Sequence, residues 1–176
     1  ALPPAPAVEK KKIYVVNIPK AAQTEFRVGY VTNLKYDATG DFYRASLSNY
    51  NLGGGFNGRL NIRLREDKGW TYGARSGFAG DKYTGTFAFS SGIRANATDS
   101  ALAEVLSILK KYHATGPDQD EVSFMKNSIG QSDARNYETG RQKASFVSRI
   151  LMYDLPSDFV DQQTRILHNI TAAEID

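Results

Sequence analysis

The chain has few residues of the kinds that usually do chemistry. It carries two histidines and no cysteine in 176 residues, which excludes disulfides, zinc fingers and thiol catalysis. His113 and His168 fall near the ends of separate predicted helices, where a protonated imidazole suits the helix dipole. Neither belongs to H-x-x-E-H or a related pair that would set two ligands on one helical face, so no zinc site is expected within the chain. The serine elbow G-x-S-x-G is absent, and Arg75-Ser76-Gly77 does not supply it. Gly53-Gly54-Gly55 lacks the G-x-x-x-x-G-K-[ST] of a phosphate loop and does not lead from a strand as G-x-G-x-x-G would. The expected role of these glycines is a tight turn that lets two helices meet closely.

What remains is an arginine seven residues before a tyrosine. A predicted helix ends between Arg65 and Tyr72 at Gly69, and a strand begins at Thr71, so guanidinium and phenol can reach the same rim of a sheet. Both are donors, and such a pair can hold a peptide carbonyl and stabilise the oxyanion formed when water attacks it. The same spacing also allows Arg65 to pair with Glu66 or Asp67 at the surface. It equally allows Tyr72 to be a core residue.

The elements that would position this pair follow from periodicity. Ile13–Ile18 is a β-branched run stopped by Pro19, and Phe26, Val28, Tyr30, Thr32 and Leu34 alternate along a second strand, Thr24–Leu34. Asp41 is placed to cap a helix through Phe42, Ala45, Leu47 and Leu52. A second helix spans about Phe56–Asp67, stopped by Gly69. Thr71–Ala79 and Tyr83–Ile93 flank a polar link at Gly80-Asp81-Lys82, which predicts an antiparallel hairpin. From Thr98, read as a cap, the period changes to 3.6 through Leu102, Val105, Leu106 and Leu109, up to Gly116-Pro117. Asp118 with Glu121 resembles a capping box before Val122, Met125 and Ile129. Further helices carry Ala144 to Leu151 and span about Asp158–His168, and Thr171 with Glu174 signals one more helix start. The order predicts an α+β fold: a two-layer sandwich with a mainly antiparallel sheet covered by helices.

Composition sets the remaining bounds. With 41% apolar and 23% charged residues the chain reads as a soluble globular domain, and its apolar runs are too short to span a bilayer. The net charge of +3 is spread among acids and bases, which predicts a mixed solvated surface. Residues 1–12, rich in Pro and Ala and then basic, read as a linker. Ile13-Tyr-Val-Val-Asn-Ile18 is similar to the first-strand signature of an RNA-recognition fold, but its partner signature is only faintly echoed by Thr84–Phe89. No nucleic-acid partner is expected, and a buried strand accounts for the same residues.

Two segments, Leu52-Gly-Gly-Gly-Phe-Asn-Gly-Arg-Leu60 and Leu64-Arg-Glu-Asp-Lys-Gly-Trp-Thr-Tyr72, together with Tyr137-Glu-Thr139 and Tyr153-Asp-Leu-Pro156, resemble the C-terminal-type domain of the M16 (pitrilysin or insulinase-like) zinc peptidases. The resemblance runs from about Ile13 to Ile175. It implies a domain at 13–176, shortened at its C-terminal end, that forms one half of a clamshell around an unfolded peptide. The zinc would belong to a partner half bearing H-x-x-E-H, either upstream in the same chain or in a separate subunit, and no cofactor is expected in this chain. The family's Arg and Tyr match Arg65 and Tyr72, which the resemblance therefore implies as catalytic. Alone, the chain is expected not to hydrolyse peptides. A structural or peptide-binding domain without a catalytic role is the alternative, and bacterial relatives imply the periplasm.

Overall fold

A computed structural model describes residues 9–133 and 137–175. Most of the expected linker 1–12 and the final residue of the expected domain 13–176 lie outside them. Three strands form one antiparallel sheet in the order β1-β3-β2, where β1 is Gln23–Thr32, β2 is Thr71–Gly80 and β3 is Gly85–Arg94. Between β1 and β2 come α1 (Asp41–Asn49), a π-helical turn at Tyr50–Gly54, α2 (Arg59–Asn61) and a second π-helical turn at Ile62–Asp67. After β3 follow α3 (Thr98–Thr115), α4 (Gln119–Asp133), α5 (Gly140–Tyr153), α6 (Phe159–Asn169) and the short α7 (Ala172–Ile175). The α+β class with an antiparallel sheet is the one expected.

The core lies on one side of the sheet. Phe87 and Phe89 of β3 and Ala74 of β2 pack with Leu52, Leu60 and Leu64 from the α1–α2 region and with Val105 and Tyr112 of α3. Leu60, Leu64, Phe89 and Ile93 are fully buried, each contributing about 1.5–3 kcal/mol by leaving water. A second cluster joins Leu47 of α1 to Val122 and Met125 of α4, Leu167 of α6, and Ile170 and Ile175. It ties the later helices to the first.

Several local expectations hold. The hairpin forms, with Asp81–Thr84 as its loop and an Asp81 N–H donating to the Thr84 carbonyl at 2.9 Å. The Asp118–Glu121 capping box is present, with reciprocal bonds of 2.9 and 2.8 Å.

Others are corrected. Ile13–Ile18 is not a strand: no described strand lies beside it to complete a ladder, and its apolar side chains stand in solvent. It is therefore not the buried strand its residue types suggest. Asp41 does not cap α1; Asp37 instead accepts from the N–H groups of Thr39 and Gly40 just ahead of it. Thr98 does not cap α3, because its hydroxyl donates back to the Ala95 carbonyl at 2.7 Å.

Candidate functional site

The segment that joins the inner helices to the sheet carries both candidate residues. The turn Tyr50–Gly54 lies directly on β2. A Cβ on Gly53 would sit 2.5 Å from Ser76 Oγ and 2.8 Å from the Ser76 nitrogen, so only glycine lets the backbones approach this closely. The glycines are thus part of the packing. From there α2 runs into the π-helical turn that contains Arg65. Its exit is wound by three backbone bonds: Lys68 N–H to the Arg63 carbonyl, Gly69 N–H to that of Arg65, and Trp70 N–H to that of Leu64. Gly69 adopts φ +58°, the left-handed conformation that ends a helix. Two residues later β2 begins.

Tyr72 is placed by a β-bulge. The inward-facing residues of β2 are Ala74, Ser76 and Phe78, so strict alternation would put Tyr72 in the core beside them. The register between β2 and β3 shifts between Thr71 and Ala74, and this shift reverses the order. Thr71 is buried, its hydroxyl accepting from Ser91 Oγ at 2.9 Å. Tyr72 turns outward and is 91% exposed. The core reading of Tyr72 is therefore excluded, and the bulge re-aims the side chain to solvent.

Arg65 is half-buried. Its Nη1 donates to Glu66 Oε1 at 2.8 Å, and its guanidinium lies 4.7 Å from the centre of the Phe56 ring. The surface pairing with Glu66 is thus present. No hydrogen bond joins Arg65 to Tyr72 among the described residues. The other two arginines of this segment do different work. Arg59 grips Glu121 of α4 with bonds of 2.7 and 2.6 Å and also donates to the Gly116 carbonyl; the Glu121 hydrogen bond holds its pKa above the ordinary value. Arg63 bonds Glu104 of α3 at 2.7 Å and Asp67 at 3.2 Å, and these bonds raise its pKa likewise. Two arginines fasten the segment to neighbouring helices, whereas among the described residues Arg65 is held by a sequence neighbour and an exposed ring.

Sequence reasoning missed two asparagines that shape this region. Asn49 Nδ2 donates to the Ser76 carbonyl at 2.8 Å and Asn49 Oδ1 accepts from Ser76 Oγ at 2.6 Å. Asn61 Oδ1 accepts from the Ala74 N–H at 2.9 Å. These side chains satisfy the outward backbone groups of β2 from Ala74 to Ser76, and so close that edge to an added strand. The only signal in the sequence was a pair of asparagines at buried positions of apolar helical patterns.

Both histidines lie exposed in the last turns of α3 and α6. Among the described residues no group of three His, Cys, Asp or Glu side chains could hold a metal ion. No described helix is long and apolar enough to cross a membrane.

Residues 1–129 match the family described as the peptidase M16 inactive domain. The chain is similar to the crystal structure of a peptidase M16 inactive domain from Pseudomonas fluorescens, at 27% identity and a TM-score of 0.77 over 88% of this chain and 37% of that one. It shares its fold with a protease from Helicobacter pylori, at 18% identity and a TM-score of 0.72 over 88% and 37% of the two chains. It also shares it with the periplasmic protease PqqL of Escherichia coli, at 16% and 0.68 over 89% and 17%. The chain thus spans little more than a third of the first two and about a sixth of the third. No curated protein matches it.

Proposed function

Because the chain belongs to the peptidase M16 inactive-domain family, we propose that it is the C-terminal-type, non-zinc-binding half of a zinc metallopeptidase, completing the active site and binding unfolded peptide opposite a partner half. The partner bears H-x-x-E-H and the zinc, whose chemistry there is to polarise the peptide carbonyl. This chain contributes Arg65 and Tyr72. The observation that carries the reading is the bulge at Thr71–Ala74, which gives up regular pairing to keep a phenol 91% exposed. An exposed phenol, seven residues from a guanidinium whose one hydrogen bond among the described residues is to its sequence neighbour Glu66, supplies with it two donors for a carbonyl oxygen as it gains charge. The periplasm is the proposed compartment, in keeping with the Escherichia coli relative.

A second reading, a structural or peptide-binding domain without a catalytic role, has one observation in its favour. Arg65 is already engaged by Glu66 and Phe56, and must leave Glu66 to give its full donor set to substrate. The test is turnover of an unfolded peptide by this chain mixed with an H-x-x-E-H-bearing partner. Oxyanion stabilisation predicts that Tyr72→Phe and Arg65→Ala each lower kcat about 10²-fold with little change in KM. A purely binding role raises KM and leaves kcat alone, and unchanged kcat and KM in both variants would remove these residues from the site.

A further inference from the structure

Among the described residues, most side chains on the face of the sheet opposite the core are exposed. Its residues are Gln23, Glu25, Arg27, Gly29 and Val31 on β1, Thr86, Ala88, Ser90, Gly92 and Arg94 on β3, and Tyr72, Arg75, Gly77 and Ala79 on β2. The side chains at Arg27, Arg75, Ala88 and Thr86 are all exposed. A Cβ added at Gly77 would meet nothing within 4 Å. One half of this face is smooth and nearly uncharged, and the other half carries charge.

Register sets two of those charges in one row. Arg27 pairs with Ser90 across the β1–β3 ladder, and Arg75 pairs with the same Ser90 across β2–β3. The two arginines therefore flank a single hydroxyl, with their Cα atoms two strand spacings or about 9.6 Å apart. A guanidinium from each side is long enough to converge on a group seated over Ser90. Neither arginine is in an ion pair among the described residues. The anion nearest in the pattern, Glu25, has its Oε1 over Gly92, 3.0 Å from where a Cβ would stand, and it bonds neither arginine. With Arg94 at the end of the face, three cations oppose one carboxylate. Arg75 is three residues along β2 from Tyr72, about 10 Å at strand rise, a distance that an extended peptide covers in two to three residues.

We propose that Arg27, Ser90 and Arg75 form a carboxylate subsite that selects an acidic side chain of the peptide two to three residues from the bond being cleaved. The inference rests on the reading that unfolded peptide lies over this face. Two guanidiniums and a hydroxyl offer a planar carboxylate several charge-assisted bonds, and the smooth row Gly29–Ala88–Gly77 lets the peptide backbone pass beside them.

The test uses fluorescein-labelled, otherwise neutral ten-residue peptides carrying one Glu or, as control, one Gln. At low salt the chain should bind the Glu peptide about tenfold more tightly than the Gln peptide. Arg27→Gln with Arg75→Gln should abolish the difference, while Lys110→Gln, which removes a positive charge from the exposed side of α3, should preserve it. Equal binding of the two peptides, or a preference that survives the double substitution, overturns the subsite. In the assembled enzyme, moving the Glu along the peptide should move the cleaved bond with it at constant offset, as read by mass spectrometry; a cleavage position independent of the Glu overturns the placement. The two proposals fail separately. Loss of the Glu preference with Arg65 and Tyr72 still needed for kcat removes the subsite alone, whereas a retained preference with those residues dispensable removes the catalytic reading alone.

Discussion

The same three strands present two surfaces with opposite obligations. On the inner one, Phe87, Phe89, Ile93 and Ala74 are packed under helices, and Ser76 and Thr71 have their hydroxyls bonded to neighbours. On the outer one most side chains are small, polar or charged, and Tyr72 and the arginines in particular are left to solvent. Stability is therefore concentrated on one side of a sheet a single strand layer thick, and the other side contributes little packing. One face packed and one face in solvent is a common arrangement for an antiparallel sheet, and here the candidate residue Tyr72 lies on the solvated one.

The sharpest way to break this comparison is to alter adjacent residues of β3. Phe89 is fully buried and Ala88 exposed, one position apart on opposite faces. Phe89→Ala removes a large side chain from a packed interior and should cost about 3–5 kcal/mol in urea unfolding. Ala88→Gln should change stability by less than about 0.5 kcal/mol. A cost above 2 kcal/mol at position 88 would mean that the outer face is covered after all.

The edge of β2 gives the next effect in size. Asn49 is buried and bonds both the carbonyl and the hydroxyl of Ser76. Asn49→Ala leaves the buried Ser76 carbonyl without its partner, which should cost about 2–3 kcal/mol. It also uncovers an edge that can pair with another chain, so sedimentation should show self-association that the parent chain lacks. If stability falls but the chain stays monomeric, Asn49 is a packing residue and the edge is protected by something else. That outcome would confine the comparison to the two faces alone.

How far these features could be read in advance depended on whether the cause was local. Strand β1, the hairpin and the Asp118–Glu121 box were legible because alternation and capping chemistry act over a few residues. Ile13–Ile18 was not, since a β-branched run becomes a strand only beside another strand, and its sequence does not say whether one is there. The motif singled out Arg65 and Tyr72, but the exposure of Tyr72 was hidden. Simple alternation from Ala74 predicts the opposite face, and only the shifted register at Thr71–Ala74 reveals the outcome. The Arg27–Ser90–Arg75 row was invisible for a related reason. It joins three strands whose mutual register is set by pairing, and neither arginine is unusual within its own segment.

The smallest effect separates two kinds of exposed charge. Asp81, in the β2–β3 loop, is a solvent-facing carboxylate like any other by position, yet its Oδ1 accepts from the N–H groups of Tyr83 and Thr84 at 2.7 and 2.9 Å. Those bonds, Thr84 first, hold its pKa below the usual carboxylate value. A carboxylate whose folded pKa is depressed contributes stability above the unfolded pKa, and that contribution is lost as pH falls through the folded one. Asp81→Asn should therefore lower Tm slightly at neutral pH, with the gap to the parent chain closing as the solution is acidified below the ordinary Asp range. Arg27→Gln and Arg75→Gln, which break no hydrogen bond or ion pair among the described residues, should leave Tm unchanged over the same range. A drop in Tm for either arginine variant would show that its charge is already committed to holding the fold, and would remove the contrast between a charge that secures the hairpin and charges kept free on the open face.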